Sequence, residues 1–358
     1  NMTICILGKN LTALLVSKIL VNKGLNVDIF FRDRNKKKKN SRTIGLSNNS
    51  INFLEREKIF KKNNCWSIKK INLYKGKKNK KFLSFKPSNN CFFIAHYHKL
   101  YNSLEINLRK NSLIKLYKKK QDDSLNCLNR NYELIINTET DNNISKKYFN
   151  KQIKKDYKSL AYTTIISHSK ISNNIAEQYF TVYGPIAFLP MSNNRTSVVF
   201  SIFNKNLMDN ENKIMKLIKE FAKKYNINNI NNLEKFPINL SLSRNYYHKN
   251  VLLFGDALHK IHPLAGQGFN MTIRDASKLS DMIQDKIDLG LNLDSVLKNF
   301  QSKRIDNNFL FAMGVDFIHE FFKLSNKYDI KYVDRFLNYL DKNSSIKNKL
   351  QKVANLGF

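Results

Sequence analysis

The chain of 358 residues is long enough to bury a substantial core, and its 42% hydrophobic and 12% aromatic content is typical of globular proteins rather than disordered ones. Its formal net charge of +34 at pH 7 fits either nucleic-acid binding or attraction to an anionic membrane. However, lysine and asparagine are enriched along the whole length, and the basic runs 34–40 and 74–82 lack the aromatic stacking platform of single-strand binders. The composition therefore disfavours a nucleic-acid-binding protein.

The four cysteines, Cys5, Cys65, Cys91 and Cys127, form no CxxC pair. Their spacing disfavours a disulfide scaffold and a zinc knuckle, and it favours a reducing compartment. No uncharged run approaches the roughly 18 residues that a membrane-spanning helix requires. We therefore expect a cytoplasmic protein that is not integral to the membrane, with peripheral binding at the inner membrane face as an alternative.

Residues 3–31 predict a strand, a helix and a second strand. "TICIL" and "NVDIFF" are β-rich runs, and "LTALLVSKILVNKG" between them carries apolar residues at helical spacing. This order opens a dinucleotide-binding fold, in which the first turn presents backbone N–H groups to a pyrophosphate.

The glycine pattern of that turn is only partly present. Gly8 occupies its first position, Asn10 stands at the second, and Ala13 stands at the third, where alanine still allows close helix packing. An asparagine side chain would crowd the approach of a phosphate, and Phe31 replaces the acidic residue expected at the end of the second strand. The turn alone leaves open whether a dinucleotide binds.

The next elements alternate between helices and strands. Residues 41–60 predict a turn leading into a helix capped by Ser47 or Asn48, residues 97–110 predict a helix, and residues 132–143 predict a strand that enters a polar turn.

The second half begins with a β-rich region. Residues 157–203 predict a meander in an antiparallel sheet, and residues 212–226 predict a helix. The apolar run 250–254 returns the chain to a strand, and the pattern is helical from about residue 293 to the end.

The segment "GDALHKIHPLAGQGFN", residues 255–270, stands between that strand and a predicted helix starting near Phe269. With the helix "MTIRDASKL" that follows, it resembles the second flavin-binding motif of the class A flavoprotein aromatic hydroxylases, most closely the ubiquinone-biosynthesis hydroxylase branch. "SRTIGLS", "AEQYFTVYGPIAFLPM" and "NFQSKRIDNN" resemble further segments of that family, so the resemblance extends from residue 3 to about 325.

The resemblance implies an α/β fold like that of para-hydroxybenzoate hydroxylase. A discontinuous, Rossmann-like FAD-binding domain (1–66, 96–155 and 250–320) would carry an inserted antiparallel β-sheet substrate domain, followed by C-terminal helices. The remaining predicted ranges are 67–95 and 156–249 for the substrate domain and 321–358 for the C-terminal helices.

The resemblance also implies roles for individual residues. Asp256 would accept hydroxyl groups of the ribityl chain, Gly266 to Gly268 would bring backbone N–H groups against the flavin ring, and Pro263 would shape the wall beside it. The residues implied in the flavin-ring environment are Pro263, Gly266 and Gln267, with no obligate acid or base. The residues implied in cofactor binding are Gly8, Asn10, Ala13, Arg42, Glu139, Gly255, Asp256, Gly266, Gly268, Phe269 and Asn270.

Several of these residues have structural alternatives. Asp256 could be a helix cap, the glycines and Pro263 could only form a turn, and Arg42 could form a surface salt bridge. Arg274 and Asp275 are expected to brace their helix.

Two pairs of histidines have a spacing compatible with a shared metal ion. His259 and His262 are three residues apart, and His96 and His98 are two residues apart. No third ligand is fixed near either pair, so we predict no metal site.

The implied activity is hydroxylation of the aromatic ring of a polyprenylated ubiquinone precursor, with FAD, O₂ and NADPH or NADH as reductant. The implied partners are this polyprenyl phenol or quinone intermediate and, peripherally, an anionic membrane or other ubiquinone-biosynthesis proteins, with no nucleic acid. The alternative is a catalytically degenerate homologue that serves as a lipid-binding or assembly subunit. Asn10, Phe31, Asn137 and Thr140, which depart from the family pattern, motivate it.

Overall fold

The computed structural model describes residues 2–32, 42–75, 80–85, 92–261 and 268–327. The helices within these ranges are α1 (Leu11–Asn22), α2 (Asn48–Arg56), α3 (Tyr97–Arg109), α4 (Asn143–Tyr148), α5 (Glu211–Phe221), α6 (Gly268–Leu289) and α7 (Leu293–Lys327). The first nine strands are β1 (Thr3–Leu7), β2 (Asn26–Arg32), β3 (Thr43–Ser47), β4 (Trp66–Ile68), β5 (Lys70–Lys75), β6 (Lys80–Phe85), β7 (Phe92–His96), β8 (Ile114–Lys119) and β9 (Leu134–Asn137). They are followed by β10 (Gln152–His168), β11 (Ile175–Thr181), β12 (Gly184–Ser192), β13 (Arg195–Ile202), β14 (Ile227–Ile230), β15 (Glu234–Ser243), β16 (Tyr247–His248), β17 (Val251–Leu253) and β18 (His259–Lys260).

A sheet in the order β16-β17-β9-β1-β2-β8 contains the predicted strand–helix–strand unit. All neighbours in it are parallel except β16 and β17. Strands β1, β9 and β17 are almost wholly buried, as expected for parallel strands covered on both faces. The prediction over residues 3–31 is confirmed, and the carboxyl ends of β1, β9 and β17 meet at one edge of the sheet.

A second sheet has the order β18-β15-β10-β13-β12-β11-β5-β6, with β14 also paired to β10. Its pairs are antiparallel except for β11 and β5. The predicted meander corresponds to β10 to β13. Strands β5 and β6 from the first half of the chain extend this sheet, while the exact domain boundaries stay a prediction.

The third sheet has the order β3-β7-β4, and one of its strands differs from the sequence prediction. Residues 43–47 form a strand rather than a turn because they pair with β7 over Thr43–Ser47, a long-range pairing that local sequence does not encode. Ser47 caps α2 as predicted, since its hydroxyl accepts from the Ser50 N–H at 3.2 Å.

The C-terminal helices pack on the large sheet. Phe311 and Ala312 of α7 join Met271 of α6 against Ile238 and Leu240 of β15 in one apolar cluster. Helix α7 continues to Lys327, and the rest of the predicted helical range 321–358 lies outside the described residues. Among the helices of the described ranges, none is both long enough and apolar enough to span a membrane.

Candidate functional site

A cleft of about 450 Å³ lies between the carboxyl edge of the parallel sheet and one face of the large antiparallel sheet. We call it the central cleft. Five of the predicted cofactor-binding residues line it: Asn10, Arg42, Asp256, Gly268 and Phe269. The other predicted residues that the structure describes are not among its lining residues; they are Gly8, Ala13, Glu139, Gly255 and Asn270.

Side-chain contacts hold the turn between β1 and α1. Asn10 is the N-cap of α1, and its side-chain oxygen accepts from the Ala13 N–H at 2.9 Å. Gly8 has φ +109°, and a Cβ there would lie 2.5 Å from the Thr138 hydroxyl oxygen, so only glycine fits. Ala13 is fully buried in the packing of α1.

Two tyrosines on α3, Tyr97 and Tyr101, support this turn. Neither tyrosine was predicted from the sequence as a site residue. The Tyr101 hydroxyl donates to the Lys9 carbonyl at 3.1 Å, and the Tyr97 hydroxyl accepts from the Leu11 N–H. Burial raises the pKa of Tyr97, so this phenol stays protonated at neutral pH. The signal in the sequence was the Tyr97–Tyr101 spacing of four residues, which places both rings on one face of the predicted helix.

Arg42 and Tyr97 form one corner of the central cleft. The Arg42 guanidinium lies 4.6 Å from the centre of the Tyr97 ring, a cation–π contact, and it forms no ion pair with the described residues. The predicted alternative of a surface salt bridge is therefore not seen within the described ranges. Arg42 is left as a cation at the mouth of the cleft.

The Gly255–Ala257 turn presents a carboxylate to the cleft. Gly255 has φ +61°, and a Cβ there would lie 2.6 and 2.7 Å from side-chain atoms of Thr12, so the turn packs directly on α1. Asp256 is exposed in the cleft and makes no hydrogen bond or ion pair with the described residues. Its carboxylate is thus available to accept hydrogen bonds from a ligand.

The segment after β9 forms a compact polar turn. The Asn137 side chain is fully buried and exchanges hydrogen bonds with that of Asn142, the N-cap of α4. Glu139 lies 3.4 Å from Arg32, measured between Oε2 and Nη2, and outside the cleft lining. Its predicted contact with the cofactor stays a prediction.

The start of α6 reaches the cleft with Gly268 and Phe269. Asn270 is fully buried, and its amide bonds the backbone of β3, donating to the Gly45 carbonyl at 2.9 Å and accepting from the Ser47 N–H at 3.0 Å. Asn270 therefore holds α6 to β3. Pro263, Gly266 and Gln267, predicted for the flavin-ring environment, lie outside the described residues, as does His262.

A buried charge network lies under the cleft. The Asp275 carboxylate is 2.6 Å from His259 Nε2 and 2.6 Å from Arg304 Nε, and Asn308 donates to both of its oxygens. Burial by itself would raise the pKa of Asp275, but His259 and Arg304 outweigh it and hold the pKa below its usual range. Asp275 thus ties β18, α6 and α7 together, the bracing role expected of it.

The second predicted bracing residue, Arg274, packs on the same helices. Its guanidinium lies 5.0 Å from the Phe311 ring centre, and burial lowers its pKa to about 10.

Of the two histidine pairs, His96 and His98 both lie within the described residues. The His96 and His98 rings meet edge to face at 5.4 Å, and burial lowers the pKa of His96 to about 4. In the described ranges, no group of three or more His, Cys, Asp or Glu side chains is placed to hold a metal ion.

Residues 136–305 match the family model described as "FAD binding domain". This match covers a little under half of the chain. The matched range includes Asp256 and α6, and it begins after the β1–α1 turn, where Asn10 departs from the glycine pattern.

Two of the curated relatives of this chain carry names from ubiquinol or ubiquinone chemistry. The 3-demethoxyubiquinol 3-hydroxylase of Escherichia coli is 34% identical over 149 residues, 40% of this chain and 38% of that protein. The mitochondrial ubiquinone biosynthesis monooxygenase COQ6 of Schizosaccharomyces pombe is 32% identical over 123 residues, 34% of this chain and 26% of the relative. The matches thus span about two fifths or less of these relatives' lengths.

Solved structures share the fold over the whole chain. The p-nitrophenol 4-monooxygenase PnpA of Pseudomonas putida superposes with a TM-score of 0.78 at 12% identity, covering 100% of this chain and 99% of its own. HpxO of Klebsiella pneumoniae, solved with FAD and uric acid, gives a TM-score of 0.74 at 11% identity, covering 99% and 97%. The predicted fold class is therefore confirmed.

Proposed function

We propose that the chain is an FAD-dependent monooxygenase that hydroxylates the aromatic ring of a polyprenylated ubiquinone precursor, with NADPH or NADH and O₂ as co-substrates. The observation that carries this proposal is the division of the central cleft. Asp256 and Arg42 give one wall hydrogen-bonding and charged groups, whereas strands β10, β12, β13 and β15 give the opposite wall only uncharged side chains, with Lys260 on the edge strand β18 as the exception. The ubiquinone-biosynthesis names of the relatives support the same class of substrate.

The polar wall suits FAD. At Gly8 and Gly255 a Cβ would collide with Thr138 and with Thr12, so glycine lets the two turns pack closely beside the cleft. Asp256 offers a carboxylate without a partner in the described ranges to ribityl hydroxyls, and Arg42 offers a cation to a phosphate or to the ring. When bound, FAD would supply the redox chemistry, taking a hydride from the nicotinamide and activating O₂ for transfer of one oxygen atom.

The apolar wall suits a neutral ring. Ala161, Thr163, Leu189, Val199 and Phe236 line the sheet side of the cleft without a formal charge. An anionic ring substituent such as a carboxylate would find no cation beside these five side chains. Burying even a neutral polar group without a partner costs about 2–7 kcal/mol, and an unpaired charge costs more. We therefore favour an uncharged phenol or quinone precursor. The chain's own contribution is to orient this ring and to exclude water.

A polyprenyl tail would bring the substrate from a membrane, and two surface features fit peripheral contact. The chain carries a net charge of +34, and Leu310 and Phe317, seven residues apart on α7, are both 68% exposed. Co-sedimentation with anionic liposomes at low salt, lost at high salt and with zwitterionic lipid, is the expected result. If the chain does not co-sediment with anionic liposomes at low salt, this part of the proposal is wrong.

The experiment that tests the activity is a coupled turnover assay. The FAD-loaded chain is incubated with NADPH or NADH, O₂ and a short-chain polyprenyl phenol, and the product is analysed by mass spectrometry. A gain of one oxygen atom, labelled when ¹⁸O₂ is supplied, is expected. Oxidation of the nicotinamide without any oxygenated ring would contradict the proposal.

A second candidate function is favoured by the β1–α1 turn. Side chains already bind two backbone N–H groups of this turn. The Asn10 side chain accepts from the Ala13 N–H, and the Tyr97 hydroxyl accepts from the Leu11 N–H. Such a turn suits a degenerate homologue that binds a lipid or assembles a biosynthetic complex. Purified chain that fails to take up FAD at saturating concentration yet binds polyprenyl lipid would favour this alternative.

A further inference from the structure

A histidine and an aspartate form a hydrogen-bonded pair beside the central cleft. His259 on β18 lines the cleft, and its Nε2 lies 2.6 Å from Oδ2 of Asp275 on α6. Both residues are buried, with 3% and 0% of their surface exposed. We call them the His–Asp pair. Its bracing role explains the carboxylate, but it does not explain why the imidazole borders the cleft.

The aspartate of the pair lies on the face of α6 that borders the cleft. Gly268 and Thr272 of this helix line the cleft, and Asp275 follows Thr272 by three residues. Residues three or four apart share one face of an α-helix, so Asp275 stands about one turn further along the same face. The helix therefore places a carboxylate behind a cleft-lining imidazole.

The hydrogen bonds leave one ring nitrogen of His259 able to accept a proton. The pKa of Asp275 is held below its usual range, so its carboxylate only accepts, and Nε2 carries the hydrogen of their bond. In the neutral ring Nδ1 is then the acceptor. Within the described part of the chain Nδ1 has no hydrogen-bond partner, and it is not one of the polar atoms that are closed off from solvent without one. It is thus available to a group in the cleft.

The charges around the pair set a condition on such a proton. Arg304 Nε on α7 lies 2.6 Å from Oδ1 of Asp275, Arg274 on α6 interacts electrostatically with both, and Lys260 on β18 lines the cleft. Because Arg304 already balances Asp275, a protonated His259 would add a positive charge without a counter-ion. A negatively charged ligand atom beside Nδ1 would supply that counter-ion. His259 therefore holds a proton most favourably when the ligand itself has released it.

We propose that His259 is the base that takes the proton from the hydroxyl group of a phenolic substrate, with Asp275 as its positioning residue. The O–H bond of the phenol breaks and an N–H bond forms at Nδ1, while the electron pair stays on the phenolate oxygen. The substrate thus enters uncharged, as the apolar wall requires, and becomes electron-rich only beside His259. This proposal rests on the proposed function, because ring hydroxylation is the step that needs an activated phenol.

The test uses a phenol whose ionisation is visible. The whole chain, both FAD-free and FAD-loaded, is saturated with 2-prenyl-4-nitrophenol, whose phenolate absorbs at a longer wavelength than the phenol. Difference spectra are then recorded as a function of pH. In the wild type the bound phenol should ionise at least about one pH unit below its pKa in water, because the imidazolium formed beside it stabilises the phenolate.

His259→Gln separates a base from a purely structural partner. The glutamine amide can still donate to Asp275, but it offers no basic nitrogen. The bound phenol should therefore ionise in this variant as it does in water, while the melting temperature stays near that of the wild type. His248→Gln, at a half-buried position on β16 outside the cleft lining, is the matched control and should behave like the wild type. Lys260→Ala should also keep the phenolate, since a nearby cation is not its source.

Several results would overturn the proposal. A wild-type chain that binds no phenol, or whose bound phenol ionises as in water, would do so even if His259→Gln fails to fold. A phenolate that persists in folded His259→Gln, or that is lost in Lys260→Ala, would assign the effect to another group. FAD uptake is read separately: a chain that takes up no FAD but ionises the phenol through His259 would contradict the proposed function and not the role of His259 as a base.

Discussion

The side-chain amide of Asn10 donates to the Thr138 carbonyl at 3.0 Å and to the Thr138 hydroxyl at 3.1 Å. Asn10 is the departure in the first glycine pattern, and Thr138 belongs to the segment after β9 that also departs from the family pattern. The two segments that depart from the family pattern are therefore in direct contact. An asparagine at this position serves as a helix cap and as a clamp between α1 and β9.

Removal of this clamp should weaken the fold. We expect Asn10→Ala to lower the free energy of unfolding by about 1–2 kcal/mol, since it loses the N-cap bond to Ala13 and both bonds to Thr138. Urea unfolding of the FAD-free chain measures this change. Asn206→Ala, at an exposed loop position, should change it by less than about 0.5 kcal/mol. Equal effects of the two substitutions would show that the clamp contributes nothing.

Gly255 and Gly24 provide a matched pair for close packing at the turn before Asp256. Both have positive φ, +61° and +75°, but only at Gly255 would a Cβ meet other atoms, those of Thr12 at 2.6 to 3.0 Å. Gly24→Ala should therefore cost about 1 kcal/mol of backbone strain, and Gly255→Ala should cost clearly more because a steric clash is added. Thermal unfolding of the two variants compares them. A Gly255→Ala chain as stable as Gly24→Ala would contradict the close packing of this turn on α1.

Asp275 should be essential for stability although it does not line the cleft. Asp275→Asn leaves the buried His259 and the partly buried Arg304 without their carboxylate, and breaking a buried ion pair costs about 3–5 kcal/mol. Chemical unfolding should show this loss, whereas Asp285→Asn, at an exposed position of the same helix, should be nearly neutral. A loss below about 1 kcal/mol would mean that the network is dispensable.

The same network predicts a dependence of stability on pH. The pKa of Asp275 is lower in the folded chain than in the unfolded one, where it is about 3.9, so its stabilisation is fully present above that value. It is lost as the pH falls through the folded pKa. The difference in free energy of unfolding between the wild type and Asp275→Asn should therefore shrink below about pH 4. A difference that stays constant down to pH 3 would contradict this assignment.

Asp256 should control the affinity for FAD. Loss of a hydrogen bond to this carboxylate should raise the Kd for FAD by about 10- to 100-fold in Asp256→Ala. Asp281→Ala, at an exposed position on α6, is the control for a lost negative charge and should leave the Kd unchanged. Fluorescence titration of FAD into both variants measures the effect. If both variants bind FAD like the wild type, Asp256 is only a turn residue.

Local sequence predicted individual helices and strands better than it predicted which strands pair. The β1–α1–β2 unit and the Ser47 cap follow from apolar spacing and from a single hydroxyl, and both are present. The strand Thr43–Ser47 was missed because its evidence is the pairing with β7, about 50 residues away in sequence.

The candidate site also contains residues that the sequence identified and residues whose place only the fold reveals. Asp256 was identified by its motif, and it lines the central cleft. Tyr97 carries no motif, and its place beside Arg42 and Leu11 follows only from the packing of α3 on α1. Asn270 belongs to the motif, but its amide is committed to β3, a contact that a motif cannot reveal.

The central claim, that the central cleft binds FAD as a redox cofactor, is tested most directly by anaerobic titration of the purified chain. The chain is first saturated with FAD, and the flavin absorbance is then followed as NADPH or NADH is added. We predict quenched FAD fluorescence on binding and bleaching of the flavin band by at least one of the two nicotinamides, with reoxidation by O₂. A chain that takes up no FAD at saturating concentration, or whose bound FAD neither nicotinamide reduces, would contradict the account.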